Sequence, residues 1–157
     1  MLNLYFKPLS EKAKKPFQVR ETDAGFDLYS TDNITVYPHK QVVASTGIAV
    51  QAKFVDPKDA EKWKIEFKIE GASGNAAKLG LYPIGGIIDQ EYTGELGVIL
   101  CNHTEEPVDV LAGKKIAQLV PQCIPKINSV KFLGVEDEFE PTSRGATGFG
   151  ATGTANS

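Results

Sequence analysis

The sequence predicts an all-β fold, a β-barrel or jelly-roll sandwich, on three observations. Apolar residues recur with period two along most of the chain; the segments with that period are short and close at Gly, Pro, Asp or Asn; and a single stretch reads as a helical turn. The period decides the class because successive side chains of a strand point to opposite faces. Alternation therefore puts one face on a core and the other in water.

LNLYFKPL opens the series of strands, FDLYS follows Gly25, and ITVYP ends at a proline. QVVASTGIAVQAK is the next candidate strand. PKDAEK, residues 57–62, is the helical turn, started by a proline and too polar to be a strand. WKIEFKIEG alternates most cleanly: Trp63, Ile65, Phe67 and Ile69 share one face, and Lys64, Glu66, Lys68 and Glu70 the other. LGLYP, GGIID, GELGVILCN, VDVLAG, KIAQLVPQCI and VKFLG complete the set. Beyond them VEDEFEPTSRG is acidic and broken by Pro141, and it leads into glycine-rich RGATGFGATGT. That ending buries too little apolar surface to fold unaided. One domain is expected, with a barrel over residues 1–134 and an acidic linker and glycine-rich arm over 135–157.

The 157 residues, 41% of them hydrophobic, suffice for one core and not for two. A net charge of −3 with no lysine or arginine block excludes a nucleic-acid surface built on counterion release. No stretch has the length of a membrane span. Cys101 and Cys123, far apart and in apolar surroundings without CxxC spacing, read as buried free thiols. A soluble, reducing, cytoplasmic setting is expected. His39 and His103 stand in separate segments, so a zinc-type cluster is not indicated. Arg20 and Arg144 are the only arginines, which limits the planar fork that best grips phosphate.

Three carboxylates stand out by setting: Asp27 in AGFDLYS, Asp89 in GGIIDQEY and Glu95 in TGELGV, each flanked by glycine and apolar residues. For each alone, a turn cap or a lysine pair remains an open alternative. Gly148, Gly150 and Gly153 fit GxGxxG, but that spacing has meaning only between a strand and a helix, and no crossover helix can be built from Thr154 to Ser157. What distinguishes the chain is company. AGFDLYS, ASGNAAKLG, GGIIDQEYTGELGV, GKKIAQLVP and RGATGFGATG all mix glycine with one or two polar residues, as sites of close backbone approach do.

In this order, and with Ser73 sixteen positions before Asp89, these five stretches resemble the five motifs of the trimeric dUTP pyrophosphatase (dUTPase) family. The resemblance implies a jelly-roll β-barrel, a homotrimer with shared active sites, and Mg²⁺-assisted hydrolysis of dUTP to dUMP and pyrophosphate by water attack on the α-phosphorus. Such an activity limits uracil incorporation into DNA and supplies dUMP. By the same resemblance Asp89 would orient and deprotonate the attacking water, and Tyr92 would lie against the deoxyribose where a 2′-hydroxyl cannot fit. The hairpin LYPIGGII would read uracil with its main chain: Pro83 facing the base, Gly85 and Gly86 donating N–H groups, and Ile88 completing the set. Ser73, the Gly74 N–H and Gln118 would contact phosphates, and Asp27 would reach the metal through water. Arg144 would join the phosphates, Phe149 would stack on the base, and Gly150 would let backbone wrap the triphosphate.

The chain departs from the pattern at Ala72, where the family's second motif has an arginine. A weaker phosphate grip is implied, with Lys68 or Lys78 as candidate replacements. Two other readings are weighed. A dCTP deaminase of the same fold needs a glutamate where this chain has Ile99. A dUTPase-like nucleotide-sensing regulator with a protein partner draws its support from Ala72, against the retained Asp89, Tyr92, Arg144 and Phe149.

Overall fold

The computed structural model describes residues 1–143. Its strands are β1 (Leu2–Pro8), β2 (Phe26–Tyr29), β3 (Ile34–Val36), β4 (Gln41–Ser45), β5 (Ile48–Phe54), β6 (Trp63–Glu70), β7 (Leu81–Ile84), β8 (Ile87–Asp89), β9 (Gly97–Asn102), β10 (Val108–Val110) and β11 (Lys115–Pro125). Two short helices interrupt them, α1 (Pro57–Lys62) and α2 (Ser73–Leu79). The chain divides into two units, Met1–Lys126 and Ile127–Ser157.

In the first unit every strand pairing is antiparallel: β1 with β5, β3 with β10, a sheet ordered β4-β9-β7 and a sheet ordered β2-β11-β6-β8. β2 with β11, β3 with β10 and β4 with β9 are nested pairings, as in a long hairpin wrapped on itself, which is the jelly-roll arrangement. The core is built from Leu28, Val36, Ile65, Phe67, Leu81, Leu96, Val98, Leu100, Ile116 and Leu119. Alternation in β6 holds for Ile65, Phe67 and Ile69, all buried, and fails at Trp63, which is 40% exposed. Trp63 is also the C-cap of α1, where its N–H donates to Asp59 O, so the helix exit rather than the strand sets its direction. α1 is the expected helical turn; Asp56 caps it by accepting from the Lys58 N–H at 2.9 Å.

Four further expectations need correction. α2 adds a second helix to the one expected: SGNAAKL spans only two turns, too few for periodicity to show, and its Ser, Gly and Asn are poor helix formers. LYPIGGII is no paired hairpin, because β7 pairs with β9 and β8 with β6; the segment crosses from one sheet to the other. VKFLG forms no strand, since strand periodicity without a neighbouring strand leaves the backbone unpaired. The cysteines are free but not buried: Cys101 is half-buried and Cys123 exposed, beside Met1, Leu2, Phe54 and Trp63 in a surface cleft.

Of the second unit, residues 127–143 are described and contain neither helix nor strand. A turn joins Gly134 and Asp137, with the Gly134 N–H donating to Asp137 Oδ2 at 2.7 Å. Val130, Phe132, Val135 and Phe139 are almost fully exposed.

Candidate active site

Nested pairing brings the first and fourth motifs together. Asp27 on β2 and Gln118 on β11 are direct partners in the ladder, and Gln118 Nε2 donates to Asp27 Oδ1 at 3.1 Å. Lys115, one of the two lysines of GKKIAQLVP, places its Nζ 2.6 Å from the same oxygen. The register between β2 and β11 shifts between Lys115 and Ala117, and this irregularity puts Lys115 opposite Tyr29. Tyr29 shares the face of Asp27; burial first, and then the Asp27 charge, push its phenol above the ordinary value.

The second motif joins them through α2. Asn75 Nδ2 donates to Lys115 O at 2.8 Å, which ties the first turn of the helix to β11. Ser73 and Gly74 are the first two residues of α2, and their N–H groups have no carbonyl partner within the helix. The N-cap is Ala72, which is 7% exposed and has no side-chain oxygen to serve them. Neither of the expected substitute cations joins this group: Lys68 Nζ pairs with Glu66 at 3.7 Å, and Lys78 lies in the last turn of α2. Asn75 and Lys115 escape a reading of the sequence because each sits inside a motif beside a residue that already has a role.

The third motif forms a separate group. Asp89 ends β8, directly opposite Glu66 of β6, so both carboxylates project from one sheet face. A tight turn follows, in which the Tyr92 N–H donates to Asp89 O at 3.0 Å. Gln90 fastens the turn to β6, accepting from the Ile65 N–H at 2.8 Å. The Tyr92 hydroxyl donates to Glu95 O at 2.9 Å, and the ring runs so close to Gly94 that a Cβ there would lie 2.6 Å from the phenol oxygen. Asp89 and Tyr92 line a cleft of about 630 Å³ with Glu66, Trp63, Lys64 and Lys126. They also line a smaller hollow of about 300 Å³ with Ile87, Ile88, Glu95 and Gly97.

Glu95 is held by bonds within the chain. It accepts from the Ser45 hydroxyl and from the Gly47 N–H, the latter at 2.8 Å, and these bonds hold its carboxyl below the usual range. Between β7 and β8, Gly85 and Gly86 take positive φ values of 69° and 101°. Gly86 accepts from the Ile69 N–H at 2.7 Å, and a Cβ on it would come 2.8 Å from Ile69 O. Pro83 stands on β7, an edge strand where a missing N–H is tolerated, with its ring against Gly71. The Ile88 side chain is partly buried against the core and also borders the smaller hollow. Arg144, Phe149 and Gly150 lie outside the described residues.

The two groups stand apart along β6. Glu70 of β6 faces Gln118 and Glu66 of β6 faces Asp89. Four residues of strand separate the two positions, about 13 Å at the strand rise. Among the described residues no group of three or more His, Cys, Asp or Glu could hold a metal ion.

The family model of dUTPase matches residues 11–153. The deoxyuridine 5'-triphosphate nucleotidohydrolase of Clostridium novyi is 40% identical over 156 residues, covering 97% of this chain and 99% of its own length. Its counterpart from Paramecium bursaria Chlorella virus 1 is 35% identical and covers 98% and 99%. Among solved structures, the Staphylococcus bacteriophage 80alpha dUTPase with dUPNHPP superposes with a TM-score of 0.79 at 26% identity, covering 96% of this chain and 98% of that one. A mutant dUTPase of phage phi11, whose structure concerns the coordination of a structural Mg(II) ion, superposes with a TM-score of 0.70 at 25% identity, covering 88% and 99%. A match from residue 11 to residue 153, together with relatives that align over nearly their whole length, places the chain in the dUTPase family.

Proposed function

We infer that the chain hydrolyses dUTP to dUMP and pyrophosphate, at sites assembled between copies of itself. The division of the site into two groups, one at the end of β6 and one beside its middle, carries this reading. The group around Ser73, Gly74 and Gln118 offers donors for phosphate, and its carboxylate, Asp27, is engaged by Gln118 and Lys115; the group around Asp89 and Tyr92 offers a carboxylate that opens onto a cleft. Each is half of a pyrophosphohydrolase site, and a neighbouring copy supplies the missing half in a closed ring, a homotrimer in this family.

Asp89 accepts a proton from the attacking water and holds it in line with the α-phosphorus. The fixed turn to Tyr92 and the Gln90 bond keep its carboxylate from wandering, which is what in-line attack requires. Tyr92, pinned by its hydroxyl and by Gly94, presents a rigid ring face to the sugar and leaves no room for a 2′-hydroxyl. The crossing at Pro83, Gly85, Gly86 and Ile88 offers main-chain groups to uracil and mismatches the amine of cytosine. Ile99 lies beside Gly85, its Cδ1 3.6 Å from a Cβ built there, and this aliphatic side chain leaves a deaminase without its glutamate. Ser73, Gly74 and Gln118 bind phosphate oxygens; the roles that the family resemblance implies for Arg144, Phe149 and Gly150 fall outside the described residues.

The donor set fits Mg²⁺ only as a hydrated ion carried by the triphosphate, because the described residues form no carboxylate cage and both bonds to Asp27 end on Oδ1. When bound, Mg²⁺ neutralises charge on the phosphate oxygens and favours departure of pyrophosphate. Asp27 Oδ2, which accepts neither of those two bonds, would hold such an ion through water. A coupled pyrophosphate assay with dUTP, dCTP, dTTP and UTP, with and without Mg²⁺, tests the reading. Release from dUTP alone supports it, and equal release from UTP contradicts the role of Tyr92.

A further inference from the structure

We propose that Lys115 supplies the phosphate-binding cation that the chain lacks at position 72, with Asp27 as the positioning residue that holds its ammonium; the proposal rests on the dUTP reading above. Position 72 is aliphatic and nearly buried, so nothing there can offer positive charge to a ligand at the start of α2. Lys115 is joined to that start from behind, because its carbonyl accepts from Asn75 in the first turn. Its ammonium and the Gln118 amide meet on one carboxylate oxygen, so a cation, an amide donor and the free N–H groups of Ser73 and Gly74 are gathered by three short links.

The Lys115 side chain remains 35% exposed, which leaves the ammonium open to a ligand while Asp27, at 13%, is largely covered. A flexible four-carbon stem and three rotatable donors let Lys115 keep its bond to Asp27 and give another to a phosphate oxygen. Because a triphosphate carries more negative charge than one carboxylate, it competes successfully for a share of the ammonium. Without ligand the Lys115 and Asp27 charges balance, so the cation is stored beside the site at no net charge. Lys68 and Lys78 cannot do this, one being held by Glu66 and the other lying at the far end of α2.

The test compares the full-length protein with Lys115→Met and Lys115→Arg, using a nonhydrolysable imido analogue of dUTP and, as the phosphate-free control, deoxyuridine. Lys115→Met should weaken the analogue about 10-fold, equivalent to about 1.4 kcal/mol, and leave inhibition by deoxyuridine unchanged; Lys115→Arg should restore analogue binding. Asp27→Asn should also weaken the analogue and not deoxyuridine, measured without Mg²⁺ so that a contact of Asp27 to the ion plays no part. Equal weakening of both ligands by Lys115→Met, or none, overturns the proposal. If Lys115→Met does not fold, wild-type protein with ¹³C-dimethylated lysines decides: a Lys115 methyl signal that moves with the analogue and not with deoxyuridine supports the assignment, and a signal indifferent to both overturns it. Wild-type protein that fails to cleave dUTP refutes the underlying reading instead, so the two failures are distinguishable.

Discussion

Gln118 and Asp27 stand 91 positions apart in the chain and share a hydrogen bond of 3.1 Å between neighbouring strands. The bond is charge-assisted and its acceptor is largely covered, so Gln118→Leu leaves the Asp27 carboxylate with Lys115 alone. We expect a loss of about 1–2 kcal/mol in stability, the low end for bonds to charged groups because the site is partly solvated. Urea unfolding of the variant beside wild type measures it, and affinity for a dUTP analogue should fall in the same protein.

Asp89 ends a strand and is held by a turn and by Gln90, so its replacement should remove chemistry without disturbing the fold. Asp89→Asn is expected to lower kcat by about 10²–10⁴, the usual contribution of a positioned general base. Calorimetry with a nonhydrolysable analogue should show binding within a few-fold of wild type. Turnover at the original rate would remove Asp89 from the mechanism.

Gly86 combines a φ of 101° with so close a neighbour that a Cβ at this position would stand 2.8 Å from Ile69 O. Gly86→Ala meets both strain and overlap and should cost about 1–3 kcal/mol. The crossing must then shift, and if it reads uracil as proposed above, the preference for dUTP over dCTP should narrow. Thermal unfolding and kcat/KM for the two nucleotides check the two halves of this prediction.

Glu95 should make acid sensitivity local. The Ser45 hydroxyl and then the Gly47 amide lower its folded-state pKa from 4.5. A depressed carboxylate stabilises the fold above its unfolded value and ceases to do so as pH falls through the folded value. Glu95→Gln should therefore be less stable than wild type above about pH 4.5, with the difference in Tm shrinking as the medium is acidified below that. A difference that stays constant from neutral to acid pH would show that the Glu95 charge is not what Ser45 and Gly47 hold.

Fold class was open to reading in the sequence because alternation is a local property: Ile65, Phe67 and Ile69 announce a half-buried strand whatever lies opposite them. The same holds for α1, whose aspartate and proline mark its start within two residues. The five motifs were also visible, since each is a continuous run of residues.

Tertiary structure alone decided what those pieces meet. Nested strand pairing sets Asp27 against Gln118 and Lys115, and nothing local to any of the three indicates the others. Residues 73–79 become a helix because their neighbours permit it, although seven residues are too few to display a period. Trp63 and Cys123 alternate as core residues and lie outside it, at a strand end that is incompletely covered. Local sequence fixes which way a side chain points from its own backbone; whether anything is there to receive it depends on contacts made across the whole chain.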